Sequence, residues 1–91
     1  MKKEFQIISD LIENNTRVLD VGCGDGTLMK YLNDNKNIDT RGLEISKNNV
    51  QHCISKGLSI IEGNAEKDLH QFQNLSFDYV VLSQTLQAFY N

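Results

Sequence analysis

Apolar residues fall into short blocks divided by polar, turn-forming stretches, and the blocks alternate between a helical and an extended period. Phe5, Ile8, Leu11 and Ile12 recur at helical spacing and predict an opening helix whose apolar stripe packs on a core. Asn14-Asn15-Thr16 ends it. Arg17-Val18-Leu19-Asp20-Val21 follows and stops at Gly22, the pattern of a strand buried on both faces. Thr27 to Asn33, with Leu28 and Leu32 four apart and Tyr31 beside them, predicts a second helix that ends near Asn33-Asp34-Asn35. Thr40 to Ile45 reads as a second strand. Ser46 then caps a third helix with Val50, Cys53 and Ile54 as its apolar face, and Gly57 stands where a terminating glycine belongs. Leu58 to Glu62 is a third strand, closed by Gly63-Asn64. A helical turn is expected around Asp68 to Phe72. Phe77 to Ser83 is a fourth strand rich in β-branched and aromatic residues, and Thr85 to Tyr90 is expected to begin another helix.

Strands alternating with helices imply a parallel sheet wound by right-handed crossovers, so the fold class is α/β, a doubly wound Rossmann-like sheet. With 91 residues there is room for one domain at most. No apolar run approaches the roughly 18 residues of a membrane span. Met1-Lys2-Lys3-Glu4-Phe5 lacks the apolar stretch of a secretion signal, so the expected location is cytoplasmic. Net charge is −3 and the nine Lys and Arg residues are scattered, which disfavours a nucleic-acid partner. The two cysteines, Cys23 and Cys53, form no C-x-x-C pair and read as reduced thiols packed as small hydrophobes. His52 and His70 stand alone, and no metal site is expected.

The informative segment is Asp20-Val21-Gly22-Cys23-Gly24-Asp25-Gly26-Thr27. A turn from strand into helix bends sharply and lets a ligand approach the backbone, which glycine permits. The helix start beyond it offers free N–H groups to a carboxylate or phosphate. The dinucleotide fingerprint would need its third glycine at position 27, where Thr27 stands. Asp20, two residues before Gly22, suits a guest carrying an ammonium and a sulfonium, such as S-adenosylmethionine. A dinucleotide and a purely structural turn remain as alternatives. Glu44 lies eighteen residues after Gly26 at the end of the second strand, where an acid can accept from both ribose hydroxyls. Asp78 opens the fourth strand at the far end of the sheet and reads as structural, and Asp25 as a helix starter.

The D-x-G-x-G-x-G run after an apolar strand resembles the first motif of class I S-adenosylmethionine-dependent methyltransferases. That resemblance implies that Asp20, Gly22, Gly24 and Gly26 hold the methionine part of the cofactor. Those enzymes commonly place an acid after the third strand, to accept from the adenine amino group. This chain has Asn64, whose side-chain oxygen can do the same, with the backbone of Ala65 beside it. The loop after the fourth strand makes Ser83 and Gln84 neighbours of the reacting group. Neither is a general base, and no catalytic residue is assigned.

Arg17 to Leu28, Gly42-Leu43-Glu44-Ile45 and above all Phe77 to Ala88, with its Leu-Ser-Gln-Thr-Leu-Gln core, resemble the MetW family. The likeness runs across essentially the whole chain. It implies a role in methionine biosynthesis beside homoserine O-acyltransferase, and a longer protein of which residues 1–91 are the N-terminal half of the cofactor-binding domain. Two alternatives stand beside it. One is a methyltransferase acting on a small-molecule substrate. The other is an interaction domain that no longer binds cofactor.

Overall fold

In the computed structural model, which describes residues 2–68, 70, 77–84 and 87–90, the strand Arg17–Val21 (β1) is buried on both faces from Val18 onward and forms the centre of the sheet. The helix Lys3–Leu11 (α1) precedes it. Thr27–Lys36 (α2) leads to Asp39–Glu44 (β2), Lys47–Ser55 (α3) to Ile60–Glu62 (β3), and the short turn Ala65–Asp68 (α4) precedes Tyr79–Leu82 (β4) and Gln87–Tyr90 (β5). Strand order is β3-β2-β1-β4-β5. The first four strands are parallel, with Asp20 of β1 opposite Gly42 on one side and Val81 on the other. The parallel α/β sheet expected from the alternation of elements is present.

Side-chain alternation divides the core. Val18, Tyr79 and Val81 point to the face covered by α1 and α2, where they meet Ile8, Ile12, Leu28, Leu32 and Ile38. Leu19, Val21 and Leu43 point to the opposite face with Phe77 and Ala65. A third cluster, Cys23, Met29, Cys53 and Leu58, joins the glycine loop to α2 and α3.

Three expectations need correction. The stripe on α1 is Phe5, Ile8 and Ile12, while Leu11 is 67% exposed, because its neighbour Ile12 already faces the core and one residue turns a helix by about 100°. For the same reason Ile54 on α3 is exposed although Val50 and Cys53 are buried. Gln87–Tyr90, expected in a helix, is a strand antiparallel to β4, with Leu82 opposite Gln87 and Tyr79 opposite Tyr90. A four-residue connection is short enough for a hairpin, and the strand satisfies the open edge of β4. Thr85 and Leu86 lie outside the described residues.

Local chemistry explains the boundaries. α3 starts where the Ser46 hydroxyl accepts from the Asn49 N–H. It ends in a Schellman motif, with Leu58 N–H donating to Cys53 O, Gly57 N–H to Ile54 O, and Gly57 at φ +76°. α2 runs on to Lys36, whose ammonium donates to the carbonyls of Ser9 and Ile12 and so ties the end of α1 to α2. α4 stands just ahead of the helical turn expected at Asp68 to Phe72, most of which lies outside the described residues, and Asn64 caps α4: Glu66 N–H donates to its Oδ1 at 2.8 Å. Leu69 and residues 71–76 lie outside the described residues.

Candidate functional site

The carboxyl ends of β1, β2, β3 and β4 border two adjoining cavities. One, of about 320 Å³, is lined chiefly by Leu43, Glu44, Ile45, Asn64, Ala65 and Leu82. The other, of about 600 Å³, is lined by the glycine loop from Gly22 to Asp25, by Ser83, and by Lys2 and Phe5 at the start of α1. Gly22 and Gln84 line both, so the two cavities meet between β1 and β4 and are called the crevice together.

Glu44 is 2% exposed and fixes the wall of this crevice. Its Oε1 accepts from Gly24 N–H at 2.9 Å, and its Oε2 accepts from Ser46 N–H at 2.9 Å and from the Asn49 amide at 3.5 Å. The carboxylate therefore holds the glycine loop against the start of α3. A carboxylate has about four acceptor positions, so three bonds leave room for one more donor. Gly22 N–H and Cys23 N–H both donate to Leu43 O, which clamps the loop to β2 a second time.

The glycines divide by function. Gly24 has φ +61°, and a Cβ there would project into open space. That leaves the backbone bare where the larger cavity begins. Gly26 has φ +84°, and a Cβ there would lie 2.4 Å from Leu58 and 3.0 Å from the Cys53 sulfur. It lines neither cavity and serves close packing of the loop on α3. Asp25 starts α2 as expected: its Oδ1 accepts from Thr27 N–H at 3.1 Å and from the Thr27 hydroxyl at 2.6 Å. The hydroxyl bond holds its carboxyl below the usual value.

Asp20 lies under the loop, fully buried, and lines neither cavity. Its Oδ1 accepts from the Ser83 hydroxyl, while Oδ2 is buried without a hydrogen-bond partner among the described residues. Burial pushes its carboxyl up to about 7, against the partial relief of the Ser83 bond and with a further push from Glu44. Asp20 reaches the crevice through Ser83, which does line it. Asn64 and Ala65, the residues expected beside the adenine, line the smaller cavity, and the Asn64 oxygen already serves as a helix cap.

Three contributors escape the motif analysis. Ile45, 66% exposed, places an apolar side chain at the mouth of the smaller cavity. Lys2 and Phe5, with the ammonium 5.7 Å from the ring centre, close the larger one. The Ile45 signal was present in its place directly after Glu44. Lys2 and Phe5 reach the site only by the docking of α1.

Among the described residues no group of three His, Cys, Asp or Glu could hold a metal ion, and no helix is long and apolar enough to cross a membrane. The fold matches that of solved methyltransferases. A TehB-like S-adenosylmethionine-dependent enzyme from Corynebacterium glutamicum superposes with a TM-score of 0.74 at 22% identity, over 87% of this chain and 42% of that one. M. capricolum TrmK, solved with S-adenosylhomocysteine, gives 0.73 at 22% identity, over 94% of this chain and 44% of that one. In sequence, the bifunctional methionine biosynthesis protein MetXA/MetW of Rhodopirellula baltica is 30% identical over 92 residues, which cover 92% of this chain and 15% of that protein. The chain thus spans less than half of the solved structures and a small part of the curated relative. The family model for methionine biosynthesis protein MetW matches residues 2–91, and the chain belongs to that family.

Proposed function

We propose that the crevice binds S-adenosylmethionine, with the nucleoside in the smaller cavity and the amino-acid part in the larger. The observation that carries this reading is the shared wall. Gly22 and Gln84 border both cavities, so the two adjoin at the tips of β1 and β4, and an elongated guest lying across Gly22 would occupy both. Glu44 has one acceptor position left for the ribose, Asn64 and Ala65 stand beside the base, and the exposed Ile45 offers an apolar surface to an aromatic ring. Gly22, Gly24 and Ser83 border the amino-acid part, with Gly26 and Asp20 supporting them from beneath. Bound cofactor would supply an electrophilic methyl group. The protein's own groups position it and exclude water. Solved neighbours of the same fold that carry S-adenosylhomocysteine support the choice of guest.

For the pathway role we place this chain beside homoserine O-acyltransferase, as an assisting partner in methionine biosynthesis. Support comes from the Rhodopirellula relative, which is described as bifunctional and joins MetXA and MetW in one protein. Calorimetry with S-adenosylhomocysteine tests the cofactor reading. Saturable binding to one site is expected, with Glu44→Gln weakening it by about tenfold, or 1.4 kcal/mol. Absence of heat from the wild-type protein, or equal affinity in a variant whose melting temperature is preserved, would overturn it. Co-purification with the acyltransferase tests the partner. No complex and no change in the acyltransferase rate on mixing would remove that role.

A further inference from the structure

The two cysteines, thirty residues apart in sequence, meet in space. Cys23 Sγ and Cys53 Sγ lie 3.9 Å apart, one on the glycine loop and one on α3, and both thiols point at the carbonyl oxygen of Gly24. Cys53 is fully buried and lines neither cavity, whereas Cys23 forms part of the wall of the larger one. A small molecule in that cavity reaches the Cys23 side of the pair first.

We propose that Cys23 and Cys53 form a dithiol that a small hydroperoxide closes to a disulfide, and that the closed bond weakens ligand binding in the crevice. The second half rests on the cofactor reading given above. The Cys23 sulfur attacks the outer peroxide oxygen, the O–O bond breaks, the remainder of the hydroperoxide takes up the thiol proton and leaves as an alcohol, or as water from hydrogen peroxide, and Cys23 becomes a sulfenic acid. The Cys53 sulfur then displaces the sulfenic hydroxyl, which leaves as water with the Cys53 proton, and the S–S bond forms. Two thiols are oxidised by two electrons and one peroxide is reduced. A disulfide spans about 2.0 Å between sulfurs, so the two sulfurs must close nearly half of their present 3.9 Å separation. Drawing Cys23 towards α3 moves Gly24 with it, and Gly24 N–H is the group that Glu44 holds. Burial pushes both thiols above their usual value, so few thiolates are present at neutral pH and the reaction is slow.

The test exposes the whole protein to hydrogen peroxide, quenches it with catalase, and reads intact mass without reductant. The expected product is a monomer lighter by two hydrogens, restored by dithiothreitol. Cys53→Ala, and as a second variant Cys53→Val, instead gain oxygen or stay unchanged. A wild-type product that gains oxygen, or a cross-link between two chains, overturns the dithiol. S-adenosylhomocysteine affinity is then compared in reduced, oxidised and re-reduced protein, and a reversible loss of about fivefold or more is expected. Unchanged affinity in oxidised protein overturns the control of the crevice. If reduced protein binds no S-adenosylhomocysteine, the cofactor reading fails and takes the control of the crevice with it, while the mass measurement still decides the dithiol.

Discussion

The two ends of the sheet treat charge in opposite ways. At the amino ends of the strands, Arg17, Asp39 and Arg41 pair with one another while remaining well exposed, and Asp78 accepts from Arg17 N–H at 2.8 Å. Arg17 also lies over the Phe77 ring. At the carboxyl ends, Asp20 and Glu44 are buried: Glu44 accepts from two backbone N–H groups and the Asn49 amide, and Asp20 from the Ser83 hydroxyl. The first end closes the sheet with exposed pairs that contribute little each. The second keeps two acids out of water at an energetic cost, and hollows out beside them. Two buried acids, one of them bonded to the glycine loop, set the carboxyl end apart from the amino end.

Substitutions can sharpen this contrast. The largest effect is expected from Gly26→Ala. It forces a side chain into a left-handed backbone and against Leu58, costing about 3 kcal/mol, or more than about 10 °C in melting temperature. Gly24→Ala shares the backbone strain without the clash and should cost only about 1 kcal/mol while still weakening S-adenosylhomocysteine binding. Equal stability of the two variants would contradict the division between packing glycine and site glycine.

Next comes the pH dependence from Asp20. Its folded pKa of about 7 lies above its ordinary value of 3.8, so between those values the folded state holds a proton that the unfolded chain has lost. Stability from this group is complete below pH 4 and falls as pH rises to 7, by at most about 1.4 kcal/mol per unit. Asp20→Asn should flatten that slope in urea titrations at pH 5, 6 and 7, and an unaltered slope would place the titration elsewhere. The smallest effect is expected at the opposite end. Asp39→Ala removes two exposed ion pairs and should cost under about 1 kcal/mol and leave ligand affinity unchanged. A loss of binding there would erase the distinction between the ends.

How much of this was legible in the residues follows from the same contrast. The glycine loop and Glu44 announce themselves because backbone conformation and strand length fix their spacing, and the structure brings them into contact through Gly24 N–H. Asp20 was legible as an acid at the loop but not as a buried one, since only the β4 neighbour Ser83 and the overlying loop decide its exposure. Asn64 was legible as a strand-tip residue, but its capping of α4 depends on the turn that follows. Lys2 and Phe5 could not be assigned in advance, because α1 reaches the crevice only through tertiary docking, secured in part by Lys36. The β4–β5 hairpin was missed because Gln87 to Tyr90 is short, and a run of four residues fits either period.

The central claim is that the strand tips converge on one guest, and amide chemical shifts during a titration with S-adenosylhomocysteine test it most directly. The account predicts saturating shifts at Gly22, Gly24, Glu44, Ile45, Asn64, Ala65 and Gln84, with Arg17, Asp39 and Asp78 unmoved. Shifts confined to the amino ends of the strands, or none at all, would contradict it.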